Sequence, residues 1–180
     1  MERFDQNEDK LAELILYVSQ KCADDPRFGA IKLNKILYFS DFLFYGNYGR
    51  PITGVEYQKL RMGPAPRRLL PIQKKLENAG ALGVQPVPLR SGYTQKKPVN
   101  LRPPDLSQFS GEEIAMVDLV IQQLFEQDSE SVSELSHQMV GFQAVDQGET
   151  IPYSTIFLSN PPLSATEIQR GLEIAASHGL

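Results

Sequence analysis

The stretch "IKLNKILYFSDFLFYGNYG", from Ile31 to Gly49, decides the fold. From Ile36 to Tyr45 every residue except Ser40 and Asp41 is apolar or aromatic. A helix that is apolar on all sides belongs in the middle of a core. The sequence therefore predicts a central helix that begins near Ala30, with the other elements packed around it.

Asp41 is the one charge inside this apolar run. An ionised carboxylate in an apolar interior is too costly to persist without a partner. Asp41 therefore lies either on a single exposed strip of the helix or in the core with a partner. We expect a structural ion pair with Lys32, Lys35 or an arginine of the following loop, rather than a catalytic carboxylate.

The remaining elements follow from local signals. Apolar spacing predicts helices over Asn7–Cys22 and Arg67–Ala79, with Gly80 just past the end of the second. The pattern of residues 81–101 predicts a β-hairpin with its turn at Arg90-Ser91-Gly92. The pattern of residues 151–158 predicts a strand or a packed loop. A serine followed three residues later by glutamate predicts N-caps at Ser110, Ser131 and Ser164.

These elements predict a mainly α fold of the α+β class. We expect a single compact helical domain over residues 1–180, with a small β-hairpin between the third and fourth main helices. The first residues lack the pattern of a signal peptide, and no run of about 20 apolar residues occurs, so we expect a soluble cytoplasmic protein without membrane insertion. Cys22 is the only cysteine, and we expect a plain buried thiol.

Charge is distributed unevenly along the chain. Residues 59–102 carry 10 Lys and Arg against one acid, Glu77, whereas residues 103–180 carry 12 acids against Arg170. Such a basic block is a candidate footprint for an anionic partner, either nucleic acid or an acidic protein face. Alternatively, the basic block neutralises the acidic C-terminal third within one fold.

Most enzyme classes lack their motifs here. The chain contains no phosphate-binding glycine loop, no dinucleotide fingerprint, no nucleophile elbow and no cluster of Cys and His. We therefore predict no catalytic residue, no cofactor and no metal site. His137 could act as a general base beside Ser133 or Ser136, but we expect a structural or partner-contacting histidine because no relay accompanies it.

The segment between the central helix and the next helix is rich in glycine, proline and basic residues. Pro64 and Pro66 lack the amide hydrogens that a phosphate would need, so this segment is predicted to be a rigid surface for a protein partner. Its predicted contact residues are Tyr57, Lys59, Arg61, Met62, Arg67 and Arg68, with His137 nearby.

A second interpretation joins the basic helix 67–79 to the hairpin 81–101. A basic helix followed by a two-stranded wing is typical of a winged-helix DNA-binding protein. Arg67, Arg68, Lys74 and Lys75 would then contact the duplex, and Arg90 at the wing tip could enter the minor groove. The helix offers few of the Asn, Gln or Ser side chains that read bases, so binding to a protein is favoured.

Three motifs in fixed order resemble a known family. The first is Lys32, Leu33, Lys35, Leu37, Tyr38 and Phe39; the second is Tyr48–Pro51; the third is Tyr57 with Gly63, Pro64 and Pro66. Leu135-Ser136-His137 is a weaker match to a later part of the same family pattern. Together they resemble the signature of the Panacea domain of SocA-like antitoxins.

This resemblance implies a mainly α-helical antitoxin, encoded beside a toxin, that binds the toxin directly and blocks it. It implies no catalytic residues. The expected partner is therefore a cognate toxin protein encoded nearby, with nucleic acid as the weaker alternative. The sequence leaves a homo-oligomer open.

Overall fold

The computed structural model describes residues 4–89, 92 and 94–158 of the chain. The helices and strands follow one another in this order: α1 (Glu8–Lys21), α2 (Ala30–Tyr48), β1 (Tyr57–Leu60), β2 (Gly63–Pro66), α3 (Leu69–Asn78), β3 (Leu82–Pro88), β4 (Thr94–Asn100), α4 (Gly111–Leu124), α5 (Ser129–His137), α6 (Val140–Gln143), β5 (Thr150–Ile151) and a 3₁₀ helix (Tyr153–Phe157). The predicted mainly α fold class is confirmed, and so is the hairpin between α3 and α4.

Helix α2 lies at the centre of the core. Leu33, Leu37 and Phe42 are completely buried, and α1, α4, α5, strand β2 and the 3₁₀ helix all pack against it. Its polar residues Lys32, Lys35, Ser40 and Asp41 are buried as well. The central helix predicted from the apolar run is confirmed.

Two small antiparallel sheets flank the helices. One has the strand order β2-β1-β5, and the other is the β3–β4 hairpin. In the first sheet Tyr57 pairs with Pro66 and Leu60 with Gly63. This hairpin was not predicted, because its prolines and glycines are typical of a loop. The prolines are tolerated because β2 is an edge strand.

The helix ends test the predicted caps. Ser110 and Glu113 form a capping box, since the Ser110 hydroxyl accepts from the Glu113 amide and the Glu113 carboxylate accepts from the Ser110 amide. The predicted cap at Ser131 is wrong: the N-cap is Asp128, three residues earlier, and its carboxylate accepts from the Ser131 amide at 2.8 Å. Ser164 lies outside the described residues.

Among the described residues, three of the five ion pairs of the basic block are with the first helix, and none is with an acid of the C-terminal third, which one alternative expected. Its ion pairs with α1 are Arg68–Glu8, Lys75–Asp9 and Arg102–Glu13. The C-terminal acids pair instead with N-terminal cations, in the pairs Glu113–Lys10, Glu113–Arg50, Asp118–Lys21 and Asp128–Arg27. Arg61, in the turn after β1, has no ion-pair partner among the described residues.

Asp41 is buried, and no cation among the described residues pairs with it. The Thr53 amide donates to its carboxylate at 2.7 Å, the Tyr57 hydroxyl also donates at 2.7 Å, and the Thr53 hydroxyl supplies a third hydrogen bond. The expected ion pair is wrong: Lys32 pairs with Asp25, and Lys35 contacts backbone carbonyls. Burial raises the pKa of Asp41, and the donors from Thr53 and Tyr57 oppose that rise.

We expect Asp41→Leu to destabilise the fold by roughly 3 kcal/mol or more, because three buried donors lose their acceptor. Asp41→Asn keeps one accepting oxygen and should lie between the leucine variant and wild type. The free energies of unfolding in urea give the comparison. An Asp41→Leu protein as stable as wild type would contradict this account of the Thr53–Tyr57 contacts.

Candidate functional site

The hairpin tip is an exposed turn within the segment that the sequence singles out. We use this name for Leu60, Arg61 and Met62, the end of β1 and the two residues that turn the chain into β2. Leu60 and Met62 are 37% and 43% exposed, and Arg61 is exposed. Among the described residues no hydrogen bond or ion pair holds the Arg61 guanidinium. The tip thus presents a free cation between two apolar side chains.

A buried lysine holds this turn from below. The Lys35 amine on α2 is 1% exposed and donates to the Met62 carbonyl oxygen at 2.6 Å, with the Pro64 carbonyl oxygen at 3.4 Å. No carboxylate accepts from it within the described residues. Burial lowers the pKa of Lys35 to about 7, because the charged amine loses its hydration.

Gly63 allows this close approach. Its backbone has φ of +100°, a conformation that residues with a side chain rarely adopt. An added Cβ would also lie 2.6 Å from both the Lys35 amine and the Ser136 hydroxyl oxygen. Helix α5 also contacts the turn, since the Ser133 hydroxyl lies 3.2 Å from the Met62 carbonyl oxygen. The turn is therefore fixed by α2 and α5 together.

Tyr57 does not belong to this surface. Its side chain is 0% exposed, so the expected exposure is wrong. The ring packs edge-on against Tyr38 and Phe42, and the hydroxyl lies within hydrogen-bond distance of Asp41 and the Leu37 carbonyl oxygen. Tyr57 faces inward because α2 supplies both apolar side chains against which the ring packs and an acceptor for the hydroxyl.

Lys59 and His137 are brought together through a third residue, Phe142. The Lys59 amine donates to the Val145 carbonyl oxygen at 2.8 Å and lies 4.8 Å from the centre of the Phe142 ring. The His137 ring stacks on the same phenyl ring, with centroids 4.6 Å apart. The expected nearness of His137 to the basic segment is therefore found, with Phe142 as the link.

Arg67 and Arg68 point to other parts of the molecule. Arg67 donates to the Gly148 carbonyl oxygen and the Thr150 hydroxyl, and so joins the end of the hairpin to the segment at β5. Arg68 pairs with Glu8 at 2.8 Å. Both remain partly exposed, but each already has a structural partner, unlike Arg61.

The serines near His137 do not form a nucleophile with it. The Ser136 hydroxyl donates to the Ser133 carbonyl oxygen at 2.7 Å, and the Ser133 hydroxyl lies 2.6 Å from the Ser129 carbonyl oxygen. The buried Nε2 atom of His137 has no hydrogen-bond partner within residues 4–89 and 94–158. His137 thus makes a stacking contact and takes part in no relay that the described residues show.

A cleft of about 660 Å³ adjoins the hairpin tip. It lies between the first turn of α2, the β3–β4 hairpin and the start of α5, with Met62 at its edge. Arg27 and Lys96 line it, opposed by Glu130. Lys96 is exposed and has no ion-pair partner among the residues described, so the cleft extends the cationic and apolar character of the tip.

A family model for the SocA-like antitoxin, Panacea domain, matches residues 33–140. The chain belongs to the SocA-like antitoxin family. No curated protein matches the chain.

The Panacea domain match begins in α2 and ends at α6, so it includes the hairpin tip, Lys35 and Ser133. Helix α1, which neutralises much of the basic block, and strand β5 lie outside it. None of the helices described could cross a membrane, since none is long and apolar enough.

Sequence reasoning placed Arg61 and Met62 correctly on the surface but missed what holds them. Lys35 was considered only as a partner for Asp41. The available signal was the glycine after Met62, since a tight turn with a glycine over a core helix allows a close approach from below. Phe142 carried no signal, because a single phenylalanine on a short helix is typical of the core.

Lys35 should make stability depend on pH in this Panacea domain. The amine keeps a pKa near 10 in the unfolded chain, so above about pH 7 the unfolded chain binds more protons than the folded one, and the free energy of unfolding rises with pH. We expect a rise of roughly 1 to 2 kcal/mol between about pH 7 and 8.5. Higher pH is avoided, because burial raises the pKa of Cys22 to about 12 and its ionisation favours unfolding.

The matched comparison is Lys35→Met against Lys74→Met. The first removes the buried amine and should flatten the rise, whereas the second removes an amine whose side chain is 70% exposed and should leave the rise intact. Urea unfolding at the two pH values measures both. A rise that survives in Lys35→Met would assign the pH dependence to other groups.

Proposed function

We propose that this protein is an antitoxin that neutralises a cognate toxin by binding it directly, without catalysis. The observation that carries the proposal is the hairpin tip: Arg61 and Met62 are exposed on a turn whose backbone is held by Lys35. Membership of a family of antitoxins supports the general role, and the tip supplies a surface for it.

A fixed turn favours binding because little conformational freedom is lost when the partner arrives. The Lys35 amine on α2 donates to the Met62 carbonyl oxygen, and Ser136 of α5 packs beside Gly63. Gly63 allows the amine to approach this closely, because an added Cβ would lie 2.6 Å from it. A partner therefore meets a surface that is already in its bound conformation, and Arg and Met are among the residues enriched in interface cores.

The chemistry of the tip and cleft defines the partner element that fits. Arg61, Arg27 and Lys96 are cationic, while Leu60 and Met62 are apolar. We propose an element of the toxin in which an apolar side chain is flanked by carboxylates. Lys59, Arg67, Arg68 and His137 are proposed as flanking contacts, since each keeps part of its side chain exposed.

The winged-helix alternative has less support. All four cations of its proposed recognition helix are engaged in ion pairs: Arg67 with Glu56, Arg68 with Glu8, Lys74 with Glu77 and Lys75 with Asp9. Acidic side chains beside these cations oppose a phosphate backbone. Arg61, which has no ion-pair partner among the described residues, lies on the other hairpin, in the turn between β1 and β2.

Arg61→Glu should abolish neutralisation while leaving the fold intact, because the guanidinium has no partner within the described part of the chain. Lys74→Glu is the control, with the same change of charge at an exposed position on α3. A host expresses the open reading frame adjacent to this gene, with each variant co-expressed, and growth is followed. We expect rescue by wild type and Lys74→Glu, and at least about tenfold weaker toxin binding for Arg61→Glu.

Arrest that Arg61→Glu relieves as well as wild type does would remove the hairpin tip from the proposal. If no neighbouring gene causes arrest that wild type relieves, the antitoxin proposal itself fails for that neighbour. Duplex DNA binding at about 50 mM salt that Lys74→Glu weakens and Arg61→Glu does not would favour the winged-helix alternative.

A further inference from the structure

A second surface lies between α2, α4 and α5. It is a groove of about 350 Å³, which we call the α4–α5 groove. Val120 and Leu124 form its buried floor, Phe39, Leu43 and Met139 its walls, and Leu135 its rim. Leu135 is 42% exposed, and among the residues described the polar ones that line the groove are Gln123 and Gln138.

The groove is separate from the hairpin tip. Ser133 and Ser136 of α5 face the turn at Met62, whereas Leu135 and Met139 line the groove. Residues two apart on a helix point to nearly opposite sides. One side of α5 therefore supports the tip and the other side forms the groove.

Glu134 lies beside the groove, and the described residues that line the groove include no Lys or Arg. Residues 36–48 of α2 contain no Lys or Arg, and neither do residues 111–139. The acids of residues 111–139 are Glu112, Glu113, Asp118, Glu126, Asp128, Glu130 and Glu134. Ion pairs neutralise three of these, Glu113, Asp118 and Asp128, and Glu130 lines the cleft beside the hairpin tip instead. Glu134 accepts a hydrogen bond from the rim residue Gln138 at 3.2 Å.

We propose that the α4–α5 groove binds an amphipathic helix of the partner, with its apolar face in the groove and Lys or Arg along its flanks. The inference rests on the proposed function for the identity of that partner, a toxin. Helices laid into apolar grooves are a common mode of recognition. Complementary charge around an apolar floor speeds encounter and excludes acidic partners.

A helix fits this groove better than a strand does. The groove is bounded by α2, α4 and α5, whose backbone groups are used within the helices, so no free strand edge is available to pair with an extended peptide. Further apolar side chains are exposed on α4 and just after it, with Leu119 at 46% and Phe125 at 43%. Clustered exposed apolar side chains mark interaction sites.

The test uses the full chain and a fluorescein-labelled synthetic peptide of about 18 residues, long enough to form a helix, with Leu on one face and Lys on the other. The control peptide has Glu in place of Lys. Fluorescence anisotropy should show saturable binding of the Leu/Lys peptide and at least about tenfold weaker binding of the Leu/Glu peptide.

Variants locate the site. Leu135→Ser changes no charge and should weaken binding of the Leu/Lys peptide about tenfold, and Glu134→Lys should weaken it and reduce its salt dependence. Leu70→Ser is the matched control, since Leu70 is 75% exposed on α3 and away from the groove. Arg61→Glu should bind the peptide like wild type. The thermal midpoints of the variants show whether each is folded.

Four results would overturn the inference: no saturable binding to wild type, equal binding of the Leu/Glu peptide, binding that folded Leu135→Ser retains, or a wild-type dimer that Leu135→Ser dissolves in sedimentation analysis. The last would assign the groove to a second copy of this chain. Failure here is distinguishable from failure of the proposed function, because peptide binding needs no toxin. Growth rescue without peptide binding removes the groove alone, and peptide binding without rescue removes the antitoxin proposal alone.

Discussion

The fold depends on two buried side chains of the core helix α2, Asp41 and Lys35. Their hydrogen bonds hold the β1–β2 hairpin at two points. Asp41 accepts from Thr53 and Tyr57, just before and at the start of β1, and Lys35 donates to the turn after β1. Apolar packing alone is tolerant of sliding, whereas hydrogen bonds to defined atoms are not. The two buried groups therefore fix where the hairpin lies on α2, and with it the exposed residues of the tip.

Burying the Lys35 amine lowers the stability of the fold, but it fixes the position of the turn at Met62. A buried amine that faces two carbonyl oxygens and no carboxylate keeps only part of what it loses in hydration, and its lowered pKa reflects that loss. A methionine of similar length would fill the same space without the desolvation cost, but it could not hold the Met62 carbonyl. Gly63 adds a further constraint, because its own conformation and the amine below it exclude a side chain. Such constraints make sense where the exact position of an exposed turn has a use.

The sequence predicted what depends on local pattern and missed what depends on contacts between distant segments. The apolar run of α2, the glycine after α3 and the capping box at Ser110 are local, and each was confirmed. The hairpin at β1 was hidden because Pro64 and Pro66 are unfavourable in strands, and an edge position makes them acceptable. Tyr57 was expected on the surface because aromatic residues are common in interfaces, but its acceptor, Asp41, lies on another element. No local pattern encodes that pairing.

Helix α5 lies between the two proposed surfaces and gives them opposite chemistry. On one side it supports a cationic tip, and on the other it forms an apolar groove in acidic surroundings. A toxin that presents only a carboxylate-flanked side chain, or only a cationic helix, would gain one contact. A toxin that presents both elements at the right separation would form both contacts, and the entropy cost of association would arise only once. Its affinity would therefore greatly exceed the affinity that either contact alone provides. Selectivity would then come from the spacing between two unlike elements, which an unrelated protein seldom reproduces.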